Sequence, residues 1–286
     1  MTKKKRKRRP VHKRKVSKKR IRQMVICLII LAMIVIPLSV CLIIRSYHEK
    51  EETPVEGTLV KNDYDWSRLK QDGSFMSYKD DNYTSLQGID VSDHQKWINW
   101  KKVRDAGIDF VFIRCGYRGY TTGDIRRDSY FTYNITEAKK QGLQVGVYFF
   151  SQAVTVDEAR EEAEYTINQI RDYDIDLPVV FDMEEAGQGS GRVDSLSKEV
   201  WTQNAVTFCH IIRNAGYTPM VYNSTNLFEK LYNINYLQEF DTWVAEYDAD
   251  YPSYPYTFSI WQYSSTGTVD GIEGGTDMDI MFVKKD

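Results

Sequence analysis

Three segments of this chain repeat one local program: a charged helical stretch, a glycine, then an apolar run. They read RDAG-IDFVFIRC (104–115), KKQG-LQVGVYFF (139–150) and RNAG-YTPMVYNS (213–224). A glycine just past the last helical residue supplies the left-handed conformation that closes a helix, which places Gly107, Gly142 and Gly216 at helix ends. The runs that follow are apolar at consecutive positions instead of alternating. That pattern belongs to strands buried on both faces, as in a parallel sheet covered by helices.

The helices between these strands carry matching signals. Thr155 and Glu158 form a capping box ahead of an acidic first turn. Trp201, Ala205, Phe208 and Ile212 recur at helical spacing and make one inward stripe. Eight strands emerge, near residues 88, 109, 144, 177, 218, 241, 258 and 278. Helices separate the first five, and the last three follow with shorter links. About 200 residues are left for this body, the lower end for a closed barrel of eight parallel strands. The expected fold is therefore α/β: a compact, incomplete and irregular TIM-like (β/α) barrel. An open doubly wound sheet is the runner-up, but no Gly-rich phosphate loop follows the first strand.

Charge divides the chain before the barrel begins. Residues 1–45 hold 15 of the 38 Lys and Arg and no Asp or Glu, so 23 bases face all 40 acids in the remainder. Residues 24–44 are 21 positions without a charge, MVICLIILAMIVIPLSVCLII. At 1.5 Å per residue they span about 31 Å, close to the hydrocarbon thickness of a bilayer. The run exceeds the h-region of a signal peptide and no A-x-A-like cleavage site follows it, so an uncleaved anchor is expected. Lys and Arg beside a span stay on the cytoplasmic side. The expected organisation is a basic cytoplasmic tail (1–23), a transmembrane helix through the lipid bilayer (24–44), an extracellular stalk (45–85) and an extracellular barrel (86–286). Trp66 and Phe75 hint that the stalk packs partly on the body. The tail has no interleaved aromatics and the body is acidic, so no nucleic-acid partner is expected. The 42% apolar fraction supports a sizeable core and excludes a disordered, collagen-like or polytopic membrane chain.

In such a barrel, function sits at the carboxyl ends of the strands. The sharpest signal there is LPVVFDMEE (177–185). Asp182 and Glu184 are two apart on a strand, so they share one side with Cα atoms about 6.6–7 Å apart. Like charges at that distance raise one pKa, which lets one carboxyl keep a proton near neutral pH, as general acid catalysis on a glycosidic oxygen requires. Glu185 should face the other way. A lone D-x-E is as easily a cap or a salt bridge. The reading gains from two further acids at strand ends, Asp90 in GIDVSDHQ and Asp277 in TDMDIMF.

Aromatics gather at the same ends: Tyr117, Tyr148, Tyr222, Trp243, Tyr247, Trp261 and Tyr263. Flat apolar faces with hydroxyl or indole edges suit sugar rings, although any one of them alone reads as ordinary packing. No Cys/His/Asp spacing suggests a metal, and no cofactor is expected. His94 could line the mouth or serve its loop, and His210 reads as structural. Cys115 and Cys209 read as small buried hydrophobes, with a bridge between them left open.

These motifs resemble the glycoside hydrolase family 25 lysozymes, the Chalaropsis-type N-acetylmuramidases. The resemblance lies in GIDVSDHQ (88–95) with Trp97 and Trp100, FVFIRCGYRG (110–119), GVYFFS (146–151), VVFDMEE (179–185), MVYNS (220–224), WVAEYD (243–248) and WQYSSTGTVDGIEGGTDMD (261–279). It covers 86–286 in order and spacing. It implies a flattened, irregular (β/α) barrel and hydrolysis of the β-1,4 bond from N-acetylmuramic acid to N-acetylglucosamine in peptidoglycan glycan strands. It also implies Glu184 as proton donor, Asp182 beside it, Asp90 and Asp277 completing the acidic floor, and Tyr148 as the aromatic after the third strand. Either a carboxylate nucleophile or the substrate's own 2-acetamido group would complete the chemistry. Side-by-side placement of 182 and 184 favours the acetamido route. One departure stands out: Asp279 occupies a position where the family usually has Asn. With the sugar-binding aromatics Tyr148, Tyr117, Tyr222, Trp243 and Trp261, the expectation is a membrane-anchored wall hydrolase. A catalytically silent glycan-binding or scaffold protein is the alternative.

Overall fold

The computed structural model describes residues 56–187, 189 and 191–285, and ten scattered helical positions between Arg22 and Ser39. All three punctuating glycines close helices with positive φ: 96° at Gly107, 77° at Gly142 and 91° at Gly216. The strands that follow the glycines, β4 (Phe110–Arg118), β6 (Gln144–Ser151) and β8 (Pro219–Ser224), lie side by side with β3 (Tyr83–Val91), β7 (Val179–Met183), β9 (Asp241–Ala245), β10 (Ile260–Gly267) and β11 (Thr276–Lys284). The order is β3-β11-β10-β9-β8-β7-β6-β4, and pairing of β3 with β4 closes the ring. A short β5 (Ile125–Arg127) extends β4 at the edge.

All eight strands expected from sequence are present, and the ring is closed where an incomplete barrel was expected. It departs from an all-parallel barrel at one strand. β11 runs antiparallel to both β10 and β3, because only a short turn, with no crossover helix, separates it from β10. Helices α1 (Trp100–Asp105), α2 (Phe131–Lys140), α3 (Val156–Ile170), α4 (Lys198–Asn214) and α5 (Thr225–Leu231) cover the earlier strands. At the start of α3 the Thr155 hydroxyl accepts from the Glu158 N–H, while the Glu158 carboxylate reaches back to the N–H of Val154.

Two apolar layers hold the barrel. Inside the ring, Phe110, Phe112, Val180, Met220, Trp243, Ile260 and Met281 fill the lower half. Gly88 and Gly146 make room for them: a Cβ there would fall 2.0 Å and 2.2 Å from the rings of Phe110 and Phe112. Outside, Phe181, Trp201, Phe208, Ile212 and Trp261 pack between sheet and helices.

Residues 56–85, read from sequence within a stalk, carry a hairpin of β1 (Leu69–Asp72) and β2 (Phe75–Tyr78) that the sequence did not announce. Tyr64 and Trp66 pack on Phe258 and Phe282, and the Tyr64 hydroxyl donates to the carbonyl of Phe258 at 2.6 Å. Cys115 and Cys209 are buried free thiols, without the bridge that was left open. Among the described residues no helix is long and apolar enough to cross a membrane, and most of 24–44 lies outside them.

Candidate active site

Alternation decides which side chains enter the ring. On β7, Val180 and Asp182 point inward, and Glu184 follows one residue past the strand. On β3, Gly88 and Asp90 point inward. The reversed direction of β11 brings its first residues to the mouth where the other strands end. Asp277 thus sits opposite Asp90, and Asp279 opposite Gly88, one layer deeper.

The mouth is a cleft of about 210 Å³ walled by Asp90, Asp182, Glu184 and Asp277 together with Tyr148, Tyr222 and Trp243. Arg114, Gln262, Tyr247, Phe150 and the Ser92–Gln95 turn with His94 complete it. The carboxyls of Asp182 and Glu184 are within hydrogen-bonding reach of each other. Their backbone is held from both sides: Asn223 Nδ2 donates to the Met183 carbonyl and Gln152 Nε2 to that of Glu184, each at 2.8 Å. Gln262 is the hub of the opposite wall. Its Nε2 donates to Asp90 Oδ2 at 2.6 Å, and its Oε1 accepts from the hydroxyls of Tyr222 (2.8 Å) and Tyr247 (2.6 Å). Beneath them the indole N–H of Trp243 donates to Asp279 Oδ1 at 3.0 Å.

So many carboxyls in one apolar-walled space cannot all ionise. Burial first, then the charge of Asp277, holds the Asp90 carboxyl well above its ordinary range. Asp182 is raised by burial and by Glu184, and Glu184 by burial, so the pair retains a shared proton. Burial and repulsion from Glu184 push Asp277 up to about 6. Asp279 is raised by burial and by Asp277. Arg114 is the counterweight. Its guanidinium donates from Nε to Asp128 Oδ2 at 2.9 Å and pairs with Asp93, yet it lines the cleft and draws the Asp182 carboxyl downward.

The four acids read from sequence are brought together here, as are Tyr148, Tyr222 and Trp243. Tyr247 lines the cleft too, but three of the aromatics at strand ends do not, among them Tyr263, which is buried with its hydroxyl donating to the Ser74 carbonyl at 3.1 Å. Trp261 is fully buried on the outer face of β10, where its Nε1 donates to the Glu246 carbonyl at 2.9 Å; its neighbour Gln262 takes the inward position. Tyr117 is not in the cleft lining, although the register shift of β4 between Arg114 and Gly116 leaves it level with Phe150, and its ring lies 5.0 Å from the Arg114 guanidinium carbon. Glu185 turns away toward Lys230, as expected. His94 lines the cleft, whereas His210 pairs with Glu239 on the outside. Sequence reading did not single out Arg114 or Gln262. The signal for Arg114 was available, since it is the one charge within the apolar run FVFIRC.

The sequence model described as glycosyl hydrolases family 25 matches residues 89–272. The autolytic lysozyme of Clostridium acetobutylicum is 28% identical over 195 residues, which span 68% of this chain and 55% of that protein. The uncharacterized protein YegX of Escherichia coli O157:H7 is 32% identical over 216 residues, 72% of this chain and 73% of that one. The modular autolysin LytC from Streptococcus pneumoniae, solved in complex with a synthetic peptidoglycan ligand, superposes with a TM-score of 0.57 at 27% identity, over 70% of this chain and 47% of that one. This chain thus spans about half the length of the autolytic lysozyme and of the autolysin it matches.

Proposed function

The chain belongs to the glycosyl hydrolases of family 25, and from that premise we propose that it is a lysozyme-type N-acetylmuramidase. Its substrate is the peptidoglycan glycan strand, cut at the β-1,4 bond from N-acetylmuramic acid to N-acetylglucosamine. The observation that carries this reading is the convergence of Asp90, Asp182, Glu184 and Asp277 on one aromatic-walled cleft. Glu184 donates its proton to the glycosidic oxygen. The Asp182 carboxyl orients the substrate's 2-acetamido group, whose carbonyl oxygen attacks C1 as the bond to the leaving sugar breaks. Glu184, now ionised, takes a proton from the water that opens the resulting ring.

The side-by-side placement of 182 and 184, two residues apart at the end of one strand, supports this route over a carboxylate nucleophile at 182, because acid and nucleophile in that case work across the sugar. Tyr148 and Arg114 line the same cleft as Asp182, and the Arg114 charge favours the ionised form of that carboxyl.

Digestion of purified peptidoglycan by the full chain in detergent, with mass analysis of new reducing ends, tests the assignment. Muramic acid ends are expected from the parent, and none from Glu184→Gln. Glucosamine ends or cut peptides would refute it, and unimpaired release by Glu184→Gln would remove that residue from the chemistry.

The enzyme is proposed to work tethered, with 24–44 across the membrane, the basic tail inside and the barrel outside. Length and charge of the segment support this. Recovery of the chain in the soluble fraction after cell lysis would contradict it.

A further inference from the structure

The turn that walls the cleft leads into a second concavity. After Gln95 the backbone passes through Lys96 at φ 55° and ψ −127°, a conformation that costs a non-glycine residue energy. Trp97 then emerges 67% exposed, more than any other large apolar side chain among the described residues. Its indole is nevertheless fixed. Tyr133 meets it edge-on at 4.4 Å and 76°, and Tyr130 at 5.5 Å and 88°. The Tyr133 hydroxyl donates to the Ile98 carbonyl at 2.7 Å, which ties the buttress to the same turn.

Beside Trp97 lies a groove of about 640 Å³ between α1, α2 and the 270–273 loop. Its walls are locked together: the Asn99 N–H donates to the Gly271 carbonyl at 2.8 Å, and a Cβ at Gly271 would sit 2.6 Å from the Asn99 oxygen. Trp100 lines this groove at 2% exposure, and its Nε1–H has no acceptor among the described residues. An indole nitrogen can only donate, and buried donors left unmet are rare, so this one calls for an acceptor brought from outside.

We infer that the groove beside Trp97 is a second saccharide site, which takes one N-acetylated hexosamine ring of a glycan strand outside the catalytic cleft. The inference rests on the proposed function for the identity of the strand. The apolar face of the ring lies on the open indole, and its acetamido carbonyl accepts from Trp100 Nε1. A held, flat aromatic face beside a polar rim suits this occupant. A purely apolar segment would leave the Trp100 donor unmet. Because Trp97 follows the cleft-lining residue Gln95 by two positions, a strand engaged in both places stays on the enzyme between cuts.

Cosedimentation of the full chain in detergent with insoluble peptidoglycan tests this, in a Glu184→Gln background so that the polymer survives. Adding Trp97→Ala should weaken binding roughly tenfold, the loss expected when an aromatic face of some tens of Å² no longer covers a ring, and Trp97→Phe should retain most of it. In the active chain, Trp97→Ala should raise KM for the polymer by a similar factor and leave kcat unchanged. Equal sedimentation of the parent and Trp97→Ala would overturn the inference. A difference that vanishes after an amidase has stripped the peptide stems would also overturn it, by assigning the groove to peptide. Should the active chain release no muramic acid ends while Trp97 still controls sedimentation on stripped glycan, the muramidase reading fails and the groove stands.

Discussion

Asp277→Asn isolates what the cleft's charge costs the fold. The side chain faces Asp90 across the β3–β11 pair, and burial with repulsion from Glu184 raises its pKa to about 6. An unfolded chain releases the same proton near 3.9. Below about pH 4 both states are protonated and the group costs nothing. Between about pH 4 and 6 the unfolded chain has shed the proton that the native state still holds, so stability falls as pH rises. Above about 6 the full difference of roughly two pKa units remains, close to 3 kcal/mol at 1.36 kcal/mol per unit. An amide of the same shape carries no charge at any pH. The variant should therefore match the parent near pH 4 and exceed it at pH 7.5 by up to about 3 kcal/mol. For a unit of this size that is a Tm gain of roughly 6–12 °C, and solvent at the mouth trims it. Thermal melts followed by near-ultraviolet circular dichroism from pH 4 to 8 would measure it. A Tm difference independent of pH, or a variant less stable at pH 7.5, would refute the account of a cleft held together against its own charge.

Other substitutions probe single parts of the site. Asp182→Asn should lower kcat by about 10²–10³, the usual loss for one preorganised group. It should also reduce a two-limbed pH–rate profile to one limb, because a pair that shares a proton becomes a single acid; an undiminished rate would remove Asp182 from catalysis. Trp261→Phe strips the donor from the half-buried Glu246 carbonyl and should cost about 1–3 kcal/mol in denaturant melts, with KM unchanged; a raised KM would return that residue to the cleft. Lys96→Gly relieves a backbone at φ 55°, ψ −127°, and after the entropy a glycine loses on folding it should gain about 1 kcal/mol. Destabilisation in the same melts would show that the turn is unstrained.

The barrel was legible because its local signals agree with one another. Glycine after each early helix, then an apolar run, gave the order and position of β4, β6 and β8, and capping at Thr155 marked the start of α3. What stayed hidden was made by partners distant in sequence. Trp66 and Phe75 hinted that this segment meets the body, but no local period announces the β1–β2 hairpin itself, or Phe258 and Phe282, about 200 residues away, as the partners of Trp66 and Tyr64. The direction of β11 was hidden too, since a run such as DMDIMFVK reads the same whether it pairs up or down.

The site was legible in its acids and misread in part of its aromatics, for one physical reason. Away from the mouth, the usual rule sends apolar side chains to the core and polar ones to water. At the upper end of this barrel the rule inverts, because the ring's interior is the wet side and the helix-covered exterior is the dry one. Along β4, Cys115 goes out to the core and Arg114 goes in. On β10, Trp261 goes out and Gln262 goes in, and on β11 Met278 goes out between Asp277 and Asp279. Strand parity and not residue type therefore decides the cleft member: on β10 it is the polar Gln262, whereas on β8 and β9 it is the aromatic Tyr222 and Trp243 and not Asn223 or Thr242. The same inversion explains why Asp182 is a cleft residue while Phe181 packs on Phe208 beneath α4. It also explains why five carboxyls and one arginine meet where local hydropathy shows only buried strand.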